Sequence, residues 1–552
     1  TKLTCGAFGR IFIQKGIHAM TSVLKCILLA CLAWPQASPG GTTYRVGPAR
    51  PYQSLQAVAG LLAGGDTVLV DGDTTYPGGV VFSQPGTTTA PILIRGVRIN
   101  GRRPVITGGT NGIAFTTGST AADHYIFESF EVRDATFRGV YHQAGDLTLR
   151  DLVVHHCNNG LMGADNGSGS LLLEYSEFYA NGAGTSAHQV YMATDEIAHP
   201  GSIFRMQHCY VHDGTGGNNI KSRSERNEIY YNWIEGAVYH ELELIGPDPA
   251  GNVPAGLKRE DSDIVGNVLR KRVTTTGSAG TFFVTRFGGD GTGESKGRYR
   301  VVNNTVITGT SAAFRLFDGL ESVEMHNNVF SSNAGAAAPI VRTAEAGWTA
   351  GEQISGQNNW VQSVLTTIPS GWTGTIAGSD PGFRNPAAGD FSPANGSPLI
   401  NTGTSAPSTS PAFPFPLPLF PPGYHPPVHV PLAPGGAETR SFAGLPDIGA
   451  FEYHPATEVR PENGGPGFRL DQNYPNPFNP ATMIRFRVST VSFVRLVVYN
   501  ALGQHVRTLL DRAMEPGEHS FHLDAAGLPT GMYYYRLNAG SFTETKRLVL
   551  MR

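Results

Sequence analysis

A repeat runs through this chain and limits the available folds more than any composition figure. The steps Phe130-Glu-Val, Leu152-Val-Val, Ser176-Glu-Phe, Cys209-Tyr-Val, Asn232-Trp-Ile, Asn267-Val-Leu, Asn304-Thr-Val and Asn328-Val-Phe align on one another. Their separations include 22 residues (130 to 152), 24 (152 to 176), 23 (209 to 232) and 24 (304 to 328). Longer gaps carry Gly-, Pro- and Asp-rich insertions such as 248–256 and 288–297. A unit this short cannot bury its own apolar face, so it must stack on its neighbours. The spacing therefore predicts a parallel β-solenoid with three short strands per coil.

In such a stack, equivalent residues sit one strand spacing apart. Asn232, Asn267, Asn304, Asn328 and Asn359 are then expected to form an asparagine ladder at a turn, a structural role. The composition suits this fold, with 69 glycines and only 15% charged residues in 552. A net charge of −3 gives no global attraction to nucleic acid or anionic membrane, so an acidic ligand needs a local cationic cluster. Cys157 and Cys209 fall in separate coils, two strand spacings or about 10 Å apart, beyond the reach of a disulfide. Both are expected to be free, buried thiols.

Ahead of the repeat, Met20–Lys25, Cys26–Trp34 and Pro35–Gly40 have the basic, apolar and small-residue regions of a signal peptide, placed at 20–38. Residues 1–19 are read as an upstream extension outside the mature protein, and no run is long enough for a membrane helix. Tyr52–Ala59 has helical spacing and reads as an N-terminal cap. The strand-like "GDTVLV", a Tyr-Pro-Gly-Gly turn and "PILIRG" follow. This opening resembles right-handed parallel β-helix proteins of the pectate lyase-like superfamily. Asp380-Pro-Gly-Phe383, Gly389-Asp-Phe391, Ser397-Pro-Leu-Ile400 and Pro446 to Tyr453 resemble the closing segments of the same proteins. The expected fold is all-β: a right-handed β-helix over 42–453, then a small β-sandwich. A proline-dense insertion at 407–434 cannot pair as sheet, and 454–469 is a polar linker.

From 470 the text changes to short strands with Gly, Pro and Asn turns. "LDQNYPNPFNPATMIRF", "VVYNALGQHVRTL", "GMYYYRL" and "KRLVLMR" resemble the type A C-terminal sorting domain of the type IX secretion system over 470–552. The resemblance implies export to the medium or outer cell surface, with the secretion machinery as partner. A monomer is expected.

Chemistry is sought in one strand of each coil. Val140-Tyr-His, Leu161-Met-Gly, Val190-Tyr-Met, Ile220-Lys-Ser, Leu242-Glu-Leu and Phe314-Arg-Leu align, with Phe283-Val-Thr-Arg286 less firmly registered. Alternation puts the aliphatic residues inside and Tyr141, Met162, Tyr191, Lys221, Glu243 and Arg315 outside. Gln189, Asn219, Arg223 and Glu241 flank them. Such a row suits an extended, anionic or hydroxyl-rich polysaccharide. Solvated faces of β-helices also carry such residues with no ligand.

Elimination on a uronide needs a base, a cation for the carboxylate and an acid for the leaving oxygen. Lys221 is the candidate base, Arg223 its pKa partner and carboxylate clamp, and Tyr191 the acid. Substrate contacts are expected from Asn219, Gln189, His188, Tyr141, Arg315 and Arg286. Glu241 and Glu243 could hold Ca²⁺, though two carboxylates fall short of a full oxygen shell. Lys221-Ser222 is similar to the catalytic lysine strand of the alginate lyase/chondroitinase B group, where an arginine follows one coil later. Here Glu241-Leu-Glu243 takes that place. The β-helix polygalacturonases place clustered aspartates with Gly-His-Gly and Arg-Ile-Lys signatures, and no such aspartate cluster appears here. Asp195-Glu196 reads as a solvated loop or a calcium clip. The leading function is an exported polysaccharide lyase on an acidic extracellular polysaccharide. The alternative is a non-catalytic glycan-binding or adhesive spacer.

Overall fold

Three parallel sheets form the body of the protein. The computed structural model describes residues 40–116, 122–246, 260–272, 282–289, 295, 297–317, 320–333, 335, 337–343, 354–442, 444–454, 468–473, 476, 478–489, 491–500, 504–539 and 542–550. The signal peptide, the upstream extension and most of the linker lie outside these residues. Among the described residues, sheet A has 13 strands from Thr43–Val46 to Trp372–Thr373, and sheet B has 12 from Thr75–Pro77 to Ile376–Gly378. Sheet C has 10, from Val80–Phe82 to Val341–Thr343. Each coil contributes to A, then B, then C, as in Tyr125–Glu128, Glu131–Arg133 and Arg138–His142. This is the β-solenoid that the repeat predicts.

Inside, side chains stack by type. Ile94, Phe127, Leu149, Leu173, Met206 and Ile229 are consecutive register partners in sheet A, all fully buried. Apolar on apolar at strand spacing removes nearly the whole side chain from water, worth about 1.5–3 kcal/mol for each large residue. Free Cys157 and Cys209 are both buried, as expected. The predicted cap is shorter than its periodicity, an α-helix of Gln56–Ala59 only.

The corner between sheets A and B explains the asparagines. One residue there turns left-handed in coil after coil: Ser129, Asp151, Tyr175, His208, Tyr231, Asn303, Asn327 and Asn358, with φ between 51° and 68°. Asparagine tolerates that conformation better than most residues, so the first Asn of Asn303-Asn304 makes the turn and the second makes the ladder. The backbone N–H groups of Asn232, Asn267, Asn304 and Asn328 donate to the amide oxygen one coil on, at 2.8–2.9 Å. Each amide nitrogen in turn reaches a sheet A carbonyl, as from Asn267 to Ile229 and from Asn359 to Met325, both at 2.8 Å. Cys209 and Leu152 continue the row by donating to Asn232 and Ser176.

The histidines, which look scattered in sequence, also stack. His208 lies between Tyr175 and Tyr231 with ring centroids 4.9 and 5.4 Å away. On sheet B, Tyr179 lies between His155 and His212 at 4.7 and 5.3 Å.

The run after residue 380 covers two of the three outer faces. Phe391, Ala450 and Phe451 pack on Tyr210, Trp233, Val268 and Ile307 of sheet B. The proline-dense segment forms no strand and lies on sheet A, where Leu419 and Phe420 pack against Tyr230, Tyr231, Val265 and Val302. Proline supplies carbonyls without N–H donors, and arginines supply the donors. Arg226 reaches the Pro416 carbonyl, Arg298 that of Pro414 and Arg300 that of Leu419, at 2.9, 2.7 and 3.0 Å.

The C-terminal part is an antiparallel unit of three and four strands from Arg469–Leu470 to Phe542–Leu550. Its own core includes Ile484, Phe486, Leu496, Tyr535 and Leu548.

Candidate active site

Sheet C carries the candidate residues. Among the described residues, no hydrogen bond from the 380–453 run reaches it, whereas that run bonds to sheets A and B. Its outer column is continuous. Tyr141, Met162, Tyr191, Lys221, Glu243, Arg286, Arg315 and Arg342 are successive register partners. Arg286, less firmly registered in the sequence, takes its place in this row. In Val190–Ala193, Ile220–Arg223, Thr285–Phe287 and Phe314–Leu316 the first and third residues are buried and the second is partly exposed. Two-residue alternation produces this pattern.

Charges in the column pair along it. Glu243 lies between two cations, with Oε2 3.5 Å from Lys221 Nζ and Oε1 3.0 Å from Arg286 Nη1. Asn218 Nδ2 also donates to Oε2, at 2.7 Å. Lys221 Nζ stands 5.5 Å from the Tyr191 ring centroid. Arg286 lies over Phe317 at 5.1 Å, Arg315 over Phe317 at 4.9 Å and Phe283 at 5.8 Å, and Arg342 over Phe283 at 5.8 Å. Aromatic faces attract guanidinium groups and restrict where they point.

A second row braces this column from three residues upstream. His188 N–H donates to Asn159 Oδ1, Asn218 N–H to His188 Nδ1, and His240 N–H to Asn218 Oδ1, at 2.9–3.0 Å. His240 Nδ1 lies 3.0 Å from the Phe283 carbonyl oxygen. Accepting from a backbone N–H leaves the proton of neutral His188 on Nε2. His188 is 3% exposed and packs edge-on against Tyr191 at 5.6 Å, so it supports the tyrosine from behind.

Several expected site residues belong to the wall instead. Gln189 and Asn219 are fully buried, donating to the carbonyls of Phe178 and Glu235, so neither presents a group to a ligand. Arg223 is 3% exposed, and its Nη1 donates to the Gly246 carbonyl at 2.9 Å. It ends its strand Ile220–Arg223, and this burial keeps its guanidinium from the partly exposed position that Lys221 occupies. Glu241 is fully buried beside Lys271, 3.4 Å away, and accepts from Ala237 N–H and Asn219. Burial pushes its carboxyl up to about 7, and the same burial lowers Lys271.

The two glutamates therefore do not fit Ca²⁺. One is sealed inside against a lysine, and the other has both oxygens facing cations. Among the described residues, no group of three or more His, Cys, Asp or Glu has metal-binding geometry. Asp195-Glu196 is not a solvated loop. Asp195 accepts from the N–H groups of Gly167, Ile197 and Ala198. Glu196 is 2% exposed and pushed up to about 7 by burial.

The sequence reading missed Asn218, Arg342 and the aromatic rim of Phe283 and Phe317. Only Arg342 carried a signal, as the next outward residue of the series.

Comparison with known proteins bears on the two parts differently. Residues 472–551 match the family described as a secretion system C-terminal sorting domain. The chain thus ends in a type IX (Por) sorting domain, which marks it for export through that machinery. No helix among the described residues is long and apolar enough to cross a membrane. A search of curated protein sequences returns no match. Among solved structures, the chain is similar to pectate lyase Pel9A, at 15% identity and a TM-score of 0.43 over 75% of this chain and 98% of that one. It is also similar to XylC in complex with xylose, at 9% and 0.33 over 62% and 87%. The polysaccharide lyase Pedsa3628 of family PL6 from Pseudopedobacter saltans matches at 12% and 0.30 over 62% and 92%. Likenesses this distant assign no role to any residue here.

Proposed function

We propose that this protein is an exported polysaccharide lyase that holds an extended acidic glycan along the outer face of sheet C. One observation carries the reading. The outer face that the chain's own C-terminal run leaves alone bears Tyr191, Lys221, Arg286 and Arg315 in a single register column.

In the proposed reaction, Lys221 Nζ takes the proton α to the uronate carboxylate. The electron pair forms the new carbon–carbon double bond, the bond to the leaving glycosidic oxygen breaks, and Tyr191 returns a proton to that oxygen. Arg286 replaces Arg223 as the cation for the carboxylate, where charge builds up in the transition state. It now bonds Glu243, so substrate binding exchanges an internal carboxylate for the sugar's own. Tyr141 and Arg315 extend the binding face. A metal is not part of this scheme, because the residues proposed for it do not fit one.

The second reading is a surface glycan-binding or spacer protein without catalysis. The Lys221–Glu243 ion pair favours it, since a lysine held beside a carboxylate is well suited to binding. Ultraviolet absorbance of unsaturated uronide product, followed over a panel of acidic polysaccharides, separates the two. Product from the wild type, with none from Lys221→Ala, supports the lyase. Binding of the same polymers without product supports the spacer.

A further inference from the structure

The sheet C column changes character at Lys221. On one side lie Tyr191, Met162 and Tyr141, with no charge among them. On the other lie Glu243, Arg286, Arg315 and Arg342. Counting the described residues of the column, the first side sums to zero and the second to +2 (three arginines less one glutamate). At about 4.8 Å per strand, each side extends for several sugar lengths. The packing sharpens the division. Phe283 and Phe317 hold Arg315, Arg286 and Arg342 near their ring faces. That side is an aromatic and thioether surface with one cation beside the column, Arg138, whose guanidinium carbon is 3.8 and 4.1 Å from the Phe137 and Tyr141 ring centroids. Its Nε reaches Met162 Sδ at 3.0 Å. Arg138 is thus committed to the surface beneath a sugar rather than projecting as a carboxylate anchor.

We propose, resting on the lyase reading above, that substrate recognition is asymmetric about the cleavage point. Anionic sugars are required on the Arg286–Arg315–Arg342 side, whereas the Tyr191–Met162–Tyr141 side takes sugars by stacking and accepts uncharged ones. The favoured substrate is then an acidic glycan with interrupted charge, such as a partly esterified polyuronide or a copolymer in which acidic blocks meet neutral ones.

The division has two readouts. The first is binding of the full chain to polygalacturonate, alginate and chondroitin sulfate at several salt concentrations. Arg315→Gln and Arg342→Gln each weaken binding roughly tenfold at low salt and flatten its salt dependence, and Arg315→Lys recovers part of the loss. Tyr141→Ala weakens binding with its salt dependence unchanged. The second is mass spectrometry of the products from partly methyl-esterified polygalacturonate or alginate. Esterified residues gather at one of the two new chain ends. Esters equally frequent at both ends, or arginine variants with unchanged salt dependence, overturn the asymmetry and leave the lyase reading standing. Failure to bind any of the three polymers overturns both.

Discussion

Sheets A and C are built from the same run of coils and share the same two-residue alternation, yet their outer faces are used in opposite ways. On sheet A, cations and anions alternate in bonded pairs, such as Arg298–Asp261 at 2.6 Å and Arg300–Asp263 at 3.0 Å. A proline-dense segment of the same chain then lies over them. Among the described residues of the sheet C column, no carboxylate follows Glu243, and three arginines stand in register. A solenoid face is neutralised where it is to be covered by its own chain. A face with surplus charge of one sign calls for a ligand of the other sign.

The largest expected effect is on catalysis. Lys221→Ala should lower product formation by roughly 10²–10⁴-fold, the usual worth of a positioned base, with little change in the melting temperature. Arg300→Ala, on the covered face, should do the reverse. It strands the fully buried Asp263 and should cost about 3–5 kcal/mol of stability, read from denaturant unfolding, with turnover of the surviving folded protein unchanged. Asn267→Ala breaks the ladder for two coils, leaving the Asn232 N–H and the Ile229 carbonyl without a partner, and should cost about 2–3 kcal/mol. Arg223→Gln should behave as a stability variant and leave the pH–rate profile in place, because its guanidinium lies in the wall.

Stability should also depend on pH, with two arms. Burial holds His142 and His208 at about 4, below their usual value of 6.5. Their contribution is complete above 6.5 and is lost as pH falls through 4, because the unfolded chain then binds more protons. Burial raises Glu196 to about 7 from 4.5, so its contribution is complete below 4.5 and is lost as pH rises through 7. Glu196→Gln should therefore raise the melting temperature at pH 8 relative to wild type and leave it nearly unchanged at pH 5. On the order of 1 kcal/mol is expected, the smallest effect in this series.

The sequence carried the parts of the structure that repeat. A step recurring at 22 to 24 residues marked the coil, the recurring asparagines marked a ladder at a turn, and alternation in six short strands placed Tyr191, Lys221 and Glu243 on one line. What did not repeat was not legible. The destination of 407–434 depends on contacts with residues more than a hundred positions away, such as Leu419 with Asp263, and no local pattern encodes them. Arg223, Gln189 and Asn219 were misplaced for a different reason. Alternation predicts direction within a strand, but these residues sit at or beyond strand ends, where the chain turns and neighbours close over the side chain. The Tyr175–His208–Tyr231 stack was hidden because its members differ in type, although they recur at the turn position just before the ladder.

The most direct test is a crystal structure of the Lys221→Met protein soaked with an acidic oligosaccharide that the wild type cleaves. Sugar density should follow the column from Tyr141 to Arg315, with a carboxylate against Arg286 and the scissile bond above residue 221. Density over sheet A or B, or sugar bound on sheet C with its carboxylates turned away from the arginines, would contradict the assignment of this face.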